Sequence, residues 1–131
     1  MYRIVAAFLL LVASVATSSA QGVLYPSTWR NQQGSILKVL GTDPATGNFA
    51  GIYINYGGIC PGAVYDIRGN IRGPRLGFEA WRAFSPTCKS DTIWHGRLVN
   101  PNTFVANWVM TWVDSAGVKR RARGVDTFGR I

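Results

Sequence analysis

Histidine occurs once in this 131-residue chain, at His95, and only two cysteines accompany it, Cys60 and Cys88. That is too small a donor set for a metal centre of ordinary type. Acidic side chains are scarce as well: Asp43, Asp66, Glu79, Asp91, Asp114 and Asp126 are all there are. A hydrolytic or transfer centre needs a nucleophile beside a base, or a pair of carboxylates. His95 lies between Trp94 and Gly96 with parity opposite to Trp94, so it is expected to face outward. Only Asp126 and Glu79 fall on inward parity, and no motif joins them. The chain reads as a binding protein and not as an enzyme. No apolar run after residue 20 is long enough to cross a bilayer, and no helical stripe of useful length is present.

Residues 1–20 have the composition of a secretory signal peptide: Arg3, an apolar run over residues 4–15, then Ser18, Ser19 and Ala20. Cleavage there leaves residues 21–131, enough for one domain with a single core. It also predicts a periplasmic or extracellular protein. An even pair of cysteines in a small exported domain is most simply one disulfide. The formal charge of +8 falls to +7 without Arg3, and a cluster at Lys119, Arg120, Arg121 and Arg123 follows a turn at residues 114–117. Such a surface attracts polyanions without specificity. The basic residues are not interleaved with aromatics in a pattern that would mark a nucleic-acid site, and a solvated basic face accounts for them.

Period-two alternation is the dominant signal. It predicts strands at residues 29–31, 35–40, 49–55, 65–72, 76–83, 92–99, 103–113 and 121–131, joined by short turns. Residues 56–62 and 84–91 form two longer loops, each carrying one cysteine. The cleanest alternation sets Tyr65, Ile67, Gly69 and Ile71 against Asp66, Arg68, Asn70 and Arg72. Eight consecutive strands predict an all-β, antiparallel up-and-down barrel with room for one small ligand. Trp81, Trp94 and Trp108 fall on inward positions, and so do the polar Asn31, Ser35, Tyr53, Asn55, Thr92 and Asp126. Buried polar groups need partners, so this many inside a small barrel imply a polar guest. Glu79 shares the parity of Trp81 and is expected inside as well.

The segments Thr28-Trp29-Arg30-Asn31-Gln32-Gln33-Gly34-Ser35, Gly51-Ile52-Tyr53, Ser90-Asp91-Thr92-Ile93-Trp94-His95-Gly96, Asn107-Trp108 and Val125-Asp126-Thr127-Phe128, in this order and spacing, resemble the avidin and streptavidin family of biotin-binding proteins. The resemblance implies high-affinity, non-catalytic binding of biotin in the open end of the barrel, with no catalytic cofactor. Position by position, it implies that Asn31, Ser35 and Tyr53 donate to the ureido oxygen, while Asn55 and Asp126 accept from the ureido N–H groups. Thr92 then approaches the ring sulfur and Ser90 the carboxylate, with Trp81, Trp94 and Trp108 enclosing the bicycle and chain. Tetrameric members lend a tryptophan to a neighbouring subunit ahead of the last strand. Here that region reads Gly117-Val118-Lys119-Arg120-Arg121, so the resemblance is closest to the short dimeric bacterial avidins and implies a homodimer, with a tetramer as the alternative. It also implies that a Cys60–Cys88 bridge stiffens the two loops over the pocket. A cationic barrel of this type that binds another small molecule or an anionic polymer is the competing expectation.

Overall fold

A computed structural model describes residues 25–85 and 87–131. The expected signal peptide lies outside the described residues. Eight strands follow one another: β1 (Ser27–Asn31), β2 (Ile36–Asp43), β3 (Asn48–Ile54), β4 (Val64–Arg72), β5 (Arg75–Ala83), β6 (Ser90–Asn100), β7 (Thr103–Val113) and β8 (Lys119–Arg130). Each pairs antiparallel with the next, and β1 pairs back onto β8, which closes the barrel in strand order. Closure removes the exposed sheet edges that short strands otherwise leave. The all-β, eight-stranded antiparallel barrel expected from the alternation is the fold. Among the described residues, no helix is long and apolar enough to cross a membrane.

Alternation decides which side chains fill the barrel. On β4, Tyr65, Ile67 and Ile71 are buried and Arg68 and Arg72 exposed. One end of the interior is packed with rings. Phe104 stacks on Phe128 at 4.6 Å, Trp29 meets Phe104 at 5.0 Å, and Phe78 stacks on Trp94 at 4.8 Å. Aromatic pairs at these separations add to the stabilisation from buried area. This plug leaves the opposite end of the barrel for a ligand.

Strand β5 corrects the sequence reading. Its inward residues are Leu76, Phe78 and Ala80, so Glu79 and Trp81 point out. Trp81 is the extra residue of a β-bulge, since Asp66 pairs with Arg82 while Ile67 pairs with Ala80. Its indole is 38% exposed and lies between the Arg68 and Arg82 guanidinium groups, each 4.9 Å from the ring centroid. Those two arginines also pair with Glu79 and Asp66 respectively. A tryptophan held by two cations is satisfied on the surface, which is why its hydrophobicity did not carry it inside. Trp81 does not line the cavity, and Glu79 is no obstacle to it.

Candidate ligand-binding site

The open half of the barrel holds a cavity of about 370 Å³, within the usual range for a small-molecule site. Its walls rise in layers set by the β6–β7 register. Trp94 is opposite Trp108, Thr92 opposite Met110, and Ser90 opposite Trp112, and all six residues line the cavity. Trp108 packs flat over Gly124: a Cβ added there would come within 2.5 Å of the indole. Only glycine leaves the ring that position on the wall.

At the inner end, three donors converge. The β1–β2 turn, with Gly34 at φ +83°, folds Asn31 over its own loop. The Asn31 Oδ1 accepts from the Gln33 and Ser35 backbone N–H groups, at 3.0 and 2.9 Å. With its oxygen used, Asn31 can present only its Nδ2, which donates to Tyr53 Oη at 3.4 Å. The Ser35 Oγ accepts from the Tyr56 N–H at 2.9 Å, which leaves its own proton free to donate. Asn31 and Ser35 are 5% and 0% exposed and sit behind the cavity surface, whereas Tyr53 lines it.

Burial pushes the Tyr53 phenol up from its ordinary 10.0 to about 12, against the opposing hydrogen bond from Ser35 and with help from the Asp126 charge. Tyr53 therefore stays a donor at every physiological pH. The folded state holds this proton more tightly than the unfolded chain does, so the associated stability is complete below pH 10 and is lost as pH rises toward 12. The loss amounts to about 2 to 3 kcal/mol. An alkaline titration followed by phenolate absorbance should show one tyrosine ionising late. The drop in denaturation midpoint above pH 10 should shrink in Tyr53→Phe; an equal drop in that variant would contradict the assignment.

The same cavity is lined by an acceptor. Asp126, 5% exposed, receives Trp94 Nε1–H on Oδ2 at 2.9 Å and Gln32 Nε2–H on Oδ1 at 2.8 Å. Gln32 is itself fixed, because its Oε1 accepts from the Thr127 N–H at 2.9 Å. Asn55 also lines the cavity, but most of its side chain serves the β3–β4 loop. Its Nδ2 donates to the Ile59 carbonyl at 2.8 Å, and its Oδ1 accepts from the Gly57 N–H at 3.2 Å, leaving one lone-pair direction on that oxygen.

Over the mouth, a Cys60–Cys88 disulfide joins the β3–β4 loop to the β5–β6 loop, with Cα atoms 6.0 Å apart. The bridge was expected, and both cysteines line the cavity. Of the ten residues expected to hold a ligand, Tyr53, Asn55, Ser90, Thr92, Trp94, Trp108 and Asp126 line it, Asn31 and Ser35 back it, and Trp81 is outside. Sequence reading missed Gln32, Gln33, Lys89, Met110 and Trp112. Parity with Trp108 was a sufficient signal for Met110 and Trp112. Gln32 had none, since its partners are more than ninety residues away.

Donors and an acceptor at one cavity suit a planar group with a carbonyl oxygen flanked by N–H. A urea is such a group. Among the described residues, no cluster of three or more His, Cys, Asp or Glu could hold a metal ion.

The Avidin family model matches residues 19–130. The chain is similar to rhizavidin in its biotin complex, at 29% identity and a TM-score of 0.70, over 82% of this chain and 92% of that one. It is similar to bradavidin2 in its biotin complex, at 29% identity and a TM-score of 0.67, over 81% and 96%. Short afifavidin with biotin gives 28% identity and a TM-score of 0.70, over 86% and 96%. No curated protein sequence matches the chain.

Proposed function

The chain belongs to the avidin family, a family of non-catalytic binding proteins, and from that premise we propose that it binds biotin in the open half of its barrel. The observation that carries this reading is the gathering of the donors Asn31, Ser35 and Tyr53 and the acceptor Asp126 at one cavity. In this reading the three donors hold the ureido oxygen. Asp126 accepts one ureido N–H, and the remaining Asn55 lone pair accepts the other. Trp94 and Trp108 enclose the bicycle, Thr92 meets the sulfur, and Ser90 meets the carboxylate. The biotin complexes of rhizavidin, bradavidin2 and short afifavidin support it.

Neutral hydrogen bonds contribute only about 1 kcal/mol each, so tight binding depends on preorganisation as well. That preorganisation is visible: the Asn31, Gln32 and Asp126 side chains are each held by partners before any ligand arrives. Biotin should therefore change the emission of Trp94 and Trp108 and saturate at one ligand per chain. Unchanged emission and an unchanged melting temperature in excess biotin would sink the reading.

Two further parts of the reading concern the protein's setting. We infer export through residues 1–20, to which the disulfide lends support. Fractionation of cells producing the full chain tests it, and cytosolic retention would refute it. We infer a homodimer because residues 117–121 carry no tryptophan to lend to a neighbouring site. Light scattering on the purified protein should give twice the chain mass; four times that mass would refute the dimer.

A further inference from the structure

The mouth of the cavity holds a charge that the urea-binding end does not need. Lys89 follows Cys88 directly and lines the cavity. Among the described residues it is the only cation in that lining. The ion pairs found among these residues engage Arg68, Arg82 and Arg120, and Lys89 has no salt-bridge partner. Arg120, across the β7–β8 ladder from Trp112, is already neutralised by Asp114 at 2.8 Å. The Val118 N–H first, and Arg120 second, hold the Asp114 carboxyl below its usual range, so that partner stays charged.

The register fixes how far the charge lies from the inner end. From the Trp94–Trp108 layer to the Ser90–Trp112 layer is four residues along each strand, about 14 Å along the strands and about 10 Å along the axis of a barrel whose strands are tilted. A ligand whose ring lies between Trp94 and Trp108 sends its chain past Thr92 and Met110. The end of that chain then points toward Ser90, Trp112 and Lys89 at the mouth. Ser90 can donate equally to a carboxylate or to an amide carbonyl, so it does not tell them apart. Lys89 does, because only the carboxylate carries a charge at neutral pH. The half-buried Trp112 lines the same mouth.

We propose that Lys89 selects the ligand with a free, ionised carboxylate over the same ligand joined through an amide. The pocket would thus take free biotin in preference to biotin already attached to protein. This rests on the biotin reading above and adds a preference to it.

The test is competition binding of biotin against biotinamide, in the oxidised protein and in Lys89→Gln and Lys89→Arg, at low and high salt. An exposed ammonium at a wet mouth should favour biotin by about fivefold at low salt, and less at high salt. The ratio should collapse toward one in Lys89→Gln and persist in Lys89→Arg. An equal ratio in the wild type and Lys89→Gln, or no preference in the wild type while both ligands bind, would overturn this inference alone. Failure of both ligands to bind would overturn the biotin reading and this inference with it.

Discussion

Asp126→Ala should weaken biotin binding by about two to four powers of ten while leaving the barrel folded. The substitution removes an acceptor from the ligand, a hydrogen bond to a charged group that contributes about 1.5 to 3 kcal/mol. It also orphans two donors, since Trp94 Nε1 and Gln32 Nε2 both end on this carboxylate. Leaving buried donors unpaired costs a further 1 to 3 kcal/mol, roughly, when water cannot replace the lost partner. The sum is about 2.5 to 6 kcal/mol, where each 1.4 kcal/mol is about tenfold. Dissociation of labelled biotin measures the loss, and far-ultraviolet circular dichroism checks the fold. Asp126→Asn should fall between the two, because its amide keeps one acceptor but turns an N–H toward Trp94 or Gln32. A loss of less than about tenfold in Asp126→Ala would mean that the ureido end lies elsewhere.

Removing the Cys60–Cys88 bridge should have the next largest effect, and it should show in both stability and kinetics. The bridge spans 28 residues of sequence, so the chain-entropy model assigns it about 3 to 4 kcal/mol. For a barrel of this size that is about 10 to 20 °C in melting temperature. The kinetic effect follows from what the bridge joins. Asn55 already gathers the β3–β4 loop through Ile59, Gly57 and Ala63. On the other side Tyr65 donates from its hydroxyl to the Cys88 carbonyl at 3.4 Å. The disulfide locks these two assemblies together above the ligand. A Cys60→Ser, Cys88→Ser double variant should release biotin about tenfold faster or more, as ordering the loops becomes a cost of binding. Mild reduction of the native protein should reproduce the change. Lower stability with an unchanged off-rate would reduce the bridge to a scaffold element with no part in retention.

Much of this arrangement was legible in the sequence, and the parts that were not have physical reasons. Strict alternation on β4 gave its inward set because nothing there competes with burial. On β5 the reading went wrong at Trp81, where a bulge breaks parity and two guanidinium groups make the surface hospitable to an indole. Phe78 was the better anchor for that strand. Asn31, Ser35 and Tyr53 were legible as polar residues on inward positions. Their division of labour was not, since it depends on which Asn31 atom the turn consumes. Gln32 was read as a turn residue, and locally it is one. Its hold on Asp126 exists only because β1 closes onto β8, with Asn31 opposite Phe128, a pairing that no local pattern encodes. Asn55 was expected as a free acceptor, yet the loop claims most of its hydrogen-bonding capacity.

The most direct test is calorimetric titration of the oxidised protein, residues 21–131, with biotin. The account predicts saturation at one biotin per chain, with favourable enthalpy from a prearranged ureido site. Absence of heat at every temperature tried, together with no displacement of a labelled biotin, would contradict it. The cavity would then belong to a different small molecule in a barrel that has kept the avidin fold.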